Sequence, residues 1–259
     1  MGEHEMKITF LGVGEACDPL YPNTSLLVQS EIAGQARQLL LDCGFTTPHI
    51  YFYACADAES LDALWISHFH GDHFFGVPLL LLRFWEMERR KPLFIVGPAG
   101  VKRKILQALD LAYPNFGAKM HFPLLFREAE PETSVEVAGF QWRTAAGLHS
   151  QRALALRLSD NAHALFYSGD GRPTPATEEL AAGCDLAVHE AFRFDDETPG
   201  HGSVRGCLDF AARTGVRSLA LLHVQREERF RLRDRIEARC RREAGCRVWL
   251  PEPGESVVL

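Results

Sequence analysis

His68-Phe69-His70-Gly71-Asp72-His73 is the stretch on which the reading of this 259-residue chain turns. Three imidazoles and a carboxylate within six residues supply nitrogen and oxygen donors suited to zinc or a similar divalent ion. Gly71 lets the backbone turn so that those donors can converge. Burying so many imidazoles without partners would be costly, so a metal is the economical explanation. The residues just before, Ala63-Leu64-Trp65-Ile66-Ser67, read as a short buried strand, which puts the donors where a strand gives way to a helix.

The rest of the chain supplies a setting for such a loop. Hydrophobic residues at 46% and charged residues at 24% are ordinary for a globular protein, and the length allows one α/β domain spanning 1–259. A net charge of -6 provides no overall attraction to nucleic acid or acidic membranes, so an anionic substrate has to be drawn by a local field. The seven cysteines are odd in number and form no Cys-x-x-Cys pair, which argues for reduced thiols and against a disulfide framework or a cysteine-zinc cluster. Residues 1–5 carry acids and no apolar run, unlike a signal peptide, and no apolar stretch reaches the ~20 residues that cross a bilayer. A cytoplasmic location without a membrane partner is the expectation.

Taken in order, the sequence predicts strands at 7–12, 25–28, 38–41, 63–67 and 93–96, with Asp42-Cys43-Gly44 closing the third. A helix is expected over 74–90, with its basic residues near the C-terminal end, and a second from Gly97-Pro98 to about residue 111. In the first, Phe74, Phe75, Leu79 to Leu82, Phe84 and Trp85 are expected to pack in the core, with a substrate channel or dimer interface as the alternative. Residues 113–131 have mixed character and receive no assignment. One alternating strand is expected over 135–145, a hairpin pair at 153–158 and 164–167, and a strand at 186–188 leading into His189-Glu190. Ser203 caps a helix to about 213, followed by a strand at 218–222, an arginine-rich helix over 225–243, and strands at 247–250 and 256–259.

Apolar strands ending in Ser67, Ala146, Tyr167 and Leu222 are each followed within three residues by His68, His149, Asp170 or His223. Ligand-type residues delivered repeatedly to strand ends can meet at one edge of a sheet. Strands in both halves flanked by helices imply an α/β fold, an αββα sandwich of two mixed β-sheets with helices outside. No low-complexity segment, linker or internal sequence repeat divides the chain.

The metal loop with His149, Asp170 and His223 resembles the metallo-β-lactamase superfamily, whose signature is His-x-His-x-Asp-His followed by separated His, Asp and His. The resemblance extends to Phe10-Leu11-Gly12 and Leu41-Asp42-Cys43-Gly44. Ser168-Gly169-Asp170, Val188-His189-Glu190-Ala191, His201-Gly202-Ser203 and Leu222-His223 are similar in order to the ribonuclease Z branch, which holds tRNA 3′-processing endonucleases and related phosphodiesterases. Two departures stand out. About twenty residues separate His149 from Asp170, too few for the long arm with which tRNA-processing members grip tRNA, and His201-Gly202-Ser203 replaces the branch's usual His-Ser-Thr.

The resemblance implies a metallo-β-lactamase fold and two divalent ions, zinc first, with manganese or iron as alternatives. His68, His70 and His149 would hold one ion; Asp72, His73 and His223 the other; Asp170 would bridge. A hydroxide between such ions, ~3.5–4 Å apart, is a nucleophile at neutral pH. Two divalent cations, two carboxylates and the hydroxide leave a formal charge of about +1, which suits a phosphodiester monoanion. Asp72, His201 and Glu190 are the catalytic candidates, with His201 as general acid and Glu190 orienting and charging it.

His189 is expected to be structural, and His4, His49, His121 and His163 to be surface or locally satisfied imidazoles. Arg226, Arg229, Arg231, Arg233, Arg235, Arg239, Arg241 and Arg242 are interleaved with Glu227, Glu228, Asp234, Glu237 and Glu243, which reads as a solvated helix laced with ion pairs, with tracking of nucleic-acid phosphates as the alternative. The resulting expectation is a metal-dependent phosphodiesterase acting on a small-molecule or nucleotide phosphodiester, with RNA left open and a homodimer expected by the same resemblance. A hydrolase of a thioester, lactone, sulfate ester or β-lactam on the same scaffold is the alternative, and a non-enzymatic binding protein is a third.

Overall fold

Alternation along the strands sorts the apolar side chains into an inner and an outer set, and that sorting builds the layers. The structure, a computed structural model, describes residues 5–131, 133–196, 198–242 and 245–259. The first half supplies β1 (Met6–Gly12), β2 (Ser25–Ile32), β3 (Gln35–Leu41), α1 (Thr47–Ala54), β4 (Ala63–Trp65), α2 (Gly71–Phe74), α3 (Val77–Glu86), β5 (Leu93–Gly97), α4 (Val101–Ala112) and β6 (Leu124–Glu128). The second supplies β7 (Ser134–Val137), β8 (Phe140–Ala146), β9 (Leu154–Ser159), β10 (Ala164–Tyr167), α5 (Pro175–Ala181), β11 (Leu186–Glu190), α6 (Val204–Thr214), β12 (Ser218–Leu222), α7 (Arg226–Cys240), β13 (Arg247–Trp249) and β14 (Ser256–Val258).

The described residues form two seven-stranded sheets, ordered β14-β1-β2-β3-β4-β5-β6 and β13-β12-β11-β10-β9-β8-β7. Each is mixed. Pairing is antiparallel from β14 to β3 and from β7 to β10, and parallel from β3 to β6 and from β10 to β13. Met6, Ile8, Phe10, Leu39, Leu41 and Trp65 of one sheet meet Phe140, Trp142, Leu156, Tyr167, Val188 and Leu222 of the other in the central core. The alternate residues face outward: Leu40, Leu64 and Ile95 pack under α1, α3 and α4, and Ala187, Leu219 and Leu221 under α5, α6 and α7. This is the expected αββα sandwich of two mixed sheets with helices outside.

The structure corrects the sequence in several places. The helix expected over 74–90 is two helices broken at Gly76, whose N–H donates to the Cys43 carbonyl. A Cβ at Gly76 would lie 2.0 Å from the Gly44 carbonyl oxygen, so the chain crosses there at backbone contact. Arg89, one of the basic residues placed near the C-terminal end of the expected helix, is buried and donates to the carbonyls of Ala58, Leu61 and Pro92. The strand expected over 135–145 is the hairpin β7–β8, turned by Ala138 and Gly139, both at positive φ. Residues 113–131 contain a 3-10 turn (Phe116–Lys119) and β6. The helices α1 and α5 were not anticipated; proline stands in the first turn of each. Leu80, Leu81 and Phe84 of α3 are core residues as expected, whereas Phe75 and Leu79 stay exposed. No helix among the described residues is long and apolar enough to cross a membrane.

Candidate metal centre

Strands β4, β10 and β12 point their C-terminal ends toward one edge, and the segments leaving them carry the expected donors. His68 and His70 lie between β4 and α2, where His70 is the residue capping α2, and Asp72 and His73 stand on α2 itself. His149 follows β8 and Asp170 follows β10 between Gly169 and Gly171, both at positive φ. His223 follows β12 and itself adopts a left-handed backbone, φ 55, held by its N–H donating to the Val13 carbonyl.

Beside a group formed by Glu190, His201 and His223, two groups of donor atoms share Asp170. His68, His70, His149 and Asp170 form one, Asp72, His73, Asp170 and His223 the other, and within each the donor atoms lie within 4.8 Å of one another. His70 Nδ1 is 3.0 Å from both His68 Nε2 and His149 Nε2. Asp170 belongs to both groups through different oxygens. Its Oδ2 is 3.8 Å from His68 Nε2 and 4.0 Å from His149 Nε2, while Oδ1 is 3.2 Å from His73 Nε2 and 3.5 Å from His223 Nε2. Asp72 Oδ2 is 3.3 Å from His73 Nε2 and 3.4 Å from His223 Nε2.

The donor set fits divalent metal. Nitrogen and oxygen ligands ~2.0–2.1 Å from a shared tetrahedral ion lie roughly 3.3 Å apart. His73 Nε2 and Asp170 Oδ1, though buried, have no hydrogen-bond partner. An orphaned pair of this kind is what a cation site leaves in the protein. The far sides of the rings are already committed. His68 Nδ1–H donates to Ser67 Oγ at 3.0 Å, His149 Nδ1–H to the Gly200 carbonyl at 2.7 Å and His73 Nδ1–H to Asp42 Oδ2 at 2.7 Å. Each of these bonds puts the proton on Nδ1 and leaves the Nε2 lone pair facing inward.

Asp42 is the hub of that outer layer. Besides His73, it accepts from the Ser67 N–H at 2.7 Å, the Ser67 hydroxyl at 2.7 Å and the Tyr167 hydroxyl at 2.6 Å. Burial and the Asp42 charge push the Tyr167 phenol well above its ordinary range, so it remains a donor.

Glu190, fully buried at the end of β11, accepts from the N–H groups of Gly171 and Gly202 on Oε1 and of Phe192 on Oε2, each at 3.0 Å. His201 Nδ1 lies 3.2 Å from Oε1 without hydrogen-bond alignment. The His201 ring stacks on Phe192 (centroids 4.7 Å apart) and lies nearly parallel to His223 at 5.8 Å. His201, Phe192, Phe45, Glu15, Ala16, His70, Asp72, Asp170 and His223 line an open cleft of about 410 Å3. His189 points away from it, buried against Phe166, Phe210 and Cys207.

In the metal-free state these groups titrate apart. Burial and the charge of His73 hold His68 well below its usual value, and burial with His149 lowers His70. His223 is pushed up to about 9: burial opposes the shift, but Asp170 and Asp72 overcome it. His73 also rises, with Asp170 and Asp42 outweighing burial. For Asp72 and Asp170 burial is likewise outweighed, by the neighbouring histidines, and both carboxyls sit far below the ordinary range. The lowered histidines favour the folded state as pH rises toward the ordinary histidine value of 6.5, above which unfolding gains no proton. The raised ones stabilise fully below 6.5 and lose that contribution as pH climbs to about 9. In chelator the melting temperature should therefore peak near pH 6.5 and fall toward pH 9; a flat alkaline limb would contradict this arrangement.

All seven donors singled out in the sequence meet here, as do His201 and Glu190. Asp42, Ser67, Tyr167 and the Gly200 carbonyl were not assigned roles. Asp42 does follow the end of β3 as the ligands follow theirs, and that was the available signal. His49, His121 and His163 belong to neither group, and His4 lies outside the described residues. The arginine-rich helix ends at Cys240, and Glu243 is also outside the described residues. Only part of its pairing is internal, as in Arg233–Glu237; Arg226 binds Glu15, and Arg229 is buried against Tyr21 and Glu252.

A family model described as Anti-Pycsar protein Apyc1 matches residues 6–228. A ribonuclease Z from Methanosarcina acetivorans is 26% identical over 273 aligned positions, covering 85% of this chain and 87% of the relative. Among solved structures, the metallo-β-lactamase fold protein YhfI from Bacillus subtilis superposes with a TM-score of 0.79 at 21% identity, covering 98% of this chain and 99% of its own. The short form of human tRNase Z superposes with a TM-score of 0.75 at 22% identity, covering 97% and 98%.

Proposed function

The chain belongs to the Anti-Pycsar protein Apyc1 family and is a ribonuclease Z-like member of the metallo-β-lactamase superfamily, and from that premise we propose that it is a phosphodiesterase with a dinuclear metal centre. The observation that carries the reading is Asp170, which turns one carboxylate oxygen toward each donor group. His68, His70 and His149 would hold one ion, Asp72, His73 and His223 the other, with zinc the metal best matched to these ligands. Two such ions, when bound, would supply a hydroxide nucleophile at neutral pH and would neutralise charge on the attacked and leaving oxygens. Residues 1–259 then serve as one cytoplasmic hydrolase domain, because both sheets share the central core and jointly furnish the donors.

The chain's own groups do the rest. The buried Glu190 ties Gly171, beside Asp170, to Gly202, beside His201, and so sets the histidine over the cleft. With Nδ1 turned inward toward Glu190, His201 presents Nε2 to the cleft and donates its proton to the leaving alkoxide. A small nucleotide is favoured over tRNA, since the short stretch between His149 and Asp170 is taken up mainly by the β9–β10 hairpin and leaves no room for a long arm. Thioester, lactone, sulfate ester or β-lactam hydrolysis remains the competing use of the scaffold.

Zinc-loaded protein is expected to hydrolyse bis(p-nitrophenyl) phosphate and a cyclic nucleotide in preference to p-nitrophenyl acetate. His201→Ala should lower kcat on the cyclic nucleotide by about 10²–10⁴-fold with bound zinc unchanged. On bis(p-nitrophenyl) phosphate the loss should be much smaller, because p-nitrophenolate leaves without an acid. Turnover of the carboxylic ester alone, or zinc loss in the variant, would refute the assignment.

A further inference from the structure

Phe45 is 54% exposed in the short loop between β3 and α1. It is nonetheless held in place. Its edge rests on Gly71, where a Cβ would come within 2.6 Å of Phe45 Cζ, and Phe75 meets it edge-on with centroids 5.8 Å apart. Gly71 separates the donors His70 and Asp72, so the ring is seated on the metal loop itself and forms a wall of the same cleft. A ring fixed in advance loses little freedom when a ligand covers it.

The other walls offer less to a planar ligand. Phe192 already stacks on His201 and carries the Arg193 guanidinium over its ring at 5.4 Å. Both carboxylate oxygens of Glu15 are engaged, one by the Cys17 N–H and one by Arg226. Among the described residues, Phe45 is therefore the exposed aromatic surface beside the donors, with little free hydrogen-bonding capacity on Glu15 to read a base edge.

We propose that Phe45 is the platform on which the planar base of a nucleoside phosphodiester stacks. This rests on the phosphodiesterase reading above and extends it: recognition through the ring face tolerates purines and pyrimidines alike. Phe45 thereby distinguishes nucleoside phosphates from sugar phosphates without touching the reacting atoms.

Calorimetric titration of zinc-loaded protein with AMP, UMP and ribose 5-phosphate tests the assignment. Phe45→Ala and Phe45→Leu should weaken both nucleotides by roughly 5- to 150-fold, leave ribose 5-phosphate unchanged and preserve the melting temperature, while Phe45→Trp retains affinity. Equal losses for all three ligands, or unchanged nucleotide binding in a variant that merely dissociates a dimer on sedimentation, would overturn the platform. Turnover of bis(p-nitrophenyl) phosphate is read in parallel. Its absence in wild type removes the parent reading, whereas its presence with no nucleotide-specific loss removes the platform alone.

Discussion

Asp170→Ala is expected to lower phosphodiester turnover by more than about 10³-fold, because on the proposed dinuclear reading the ions held by the two donor groups would together activate the attacking water. The carboxylate is 2% exposed and is the one donor common to both groups. Its removal leaves His68, His73, His149 and His223 facing one another with a negative charge gone from their midst, so each group loses a ligand together with the field that favours a cation. Bound zinc measured by mass spectrometry should fall below one equivalent per chain. Asp170→Asn keeps the shape but not the charge, and should retain more metal than Asp170→Ala while remaining almost inactive. Two equivalents of zinc in Asp170→Ala with wild-type turnover would sink the bridging assignment.

The second large effect is placed one layer out. Asp42→Ala strips the acceptor from four donors at once: the Ser67 N–H and hydroxyl, the Tyr167 hydroxyl and the His73 ring. Each buried donor left without a partner costs about 1–3 kcal/mol, so the sum is a large part of the stability of an ordinary domain. Asp42 also sits at φ 59, a conformation that alanine adopts less readily than aspartate or asparagine. Asp42→Asn separates the two contributions: it tolerates that backbone and keeps one acceptor oxygen, yet lacks the charge that orients His73. It should fold, melt several degrees lower, and bind zinc about 10- to 100-fold more weakly, the usual effect of losing an outer partner of a ligand. Chemical denaturation and competitive metal titration read the two effects separately. Wild-type zinc affinity in Asp42→Asn would mean that His73 is oriented by other contacts.

The metal loop could be read in the sequence because metal ligands must be chemically particular and, here, four of them are nearly consecutive. His149, Asp170 and His223 were recognisable for a different reason: each follows an apolar strand, and strands in a layered fold bring their ends to a common edge. The short apolar runs of β4, β11 and β12 likewise announced strands buried on both faces, and with the helices flanking them the αββα layers. None of this required knowing which side chains touch.

Other features depended on contacts between residues remote in sequence. Asp42 looks like any aspartate after a strand until Ser67, His73 and Tyr167 arrive from three other segments. The break at Gly76 is set by the Cys43–Gly44 backbone crossing it, not by a change in the apolar run, which is why one long helix was expected. Arg89 reads as a helix-end cation and becomes an internal donor because three carbonyls from neighbouring loops close around it. Phe45 belongs to the same class: only the packing of its edge on Gly71 leaves the ring at the mouth of the cleft. Ligand identity and strand periodicity are properties of local chemistry and could therefore be read directly from the chain. Outer partners, helix breaks and cleft walls arise from long-range backbone approach, which exists only once the two sheets have packed.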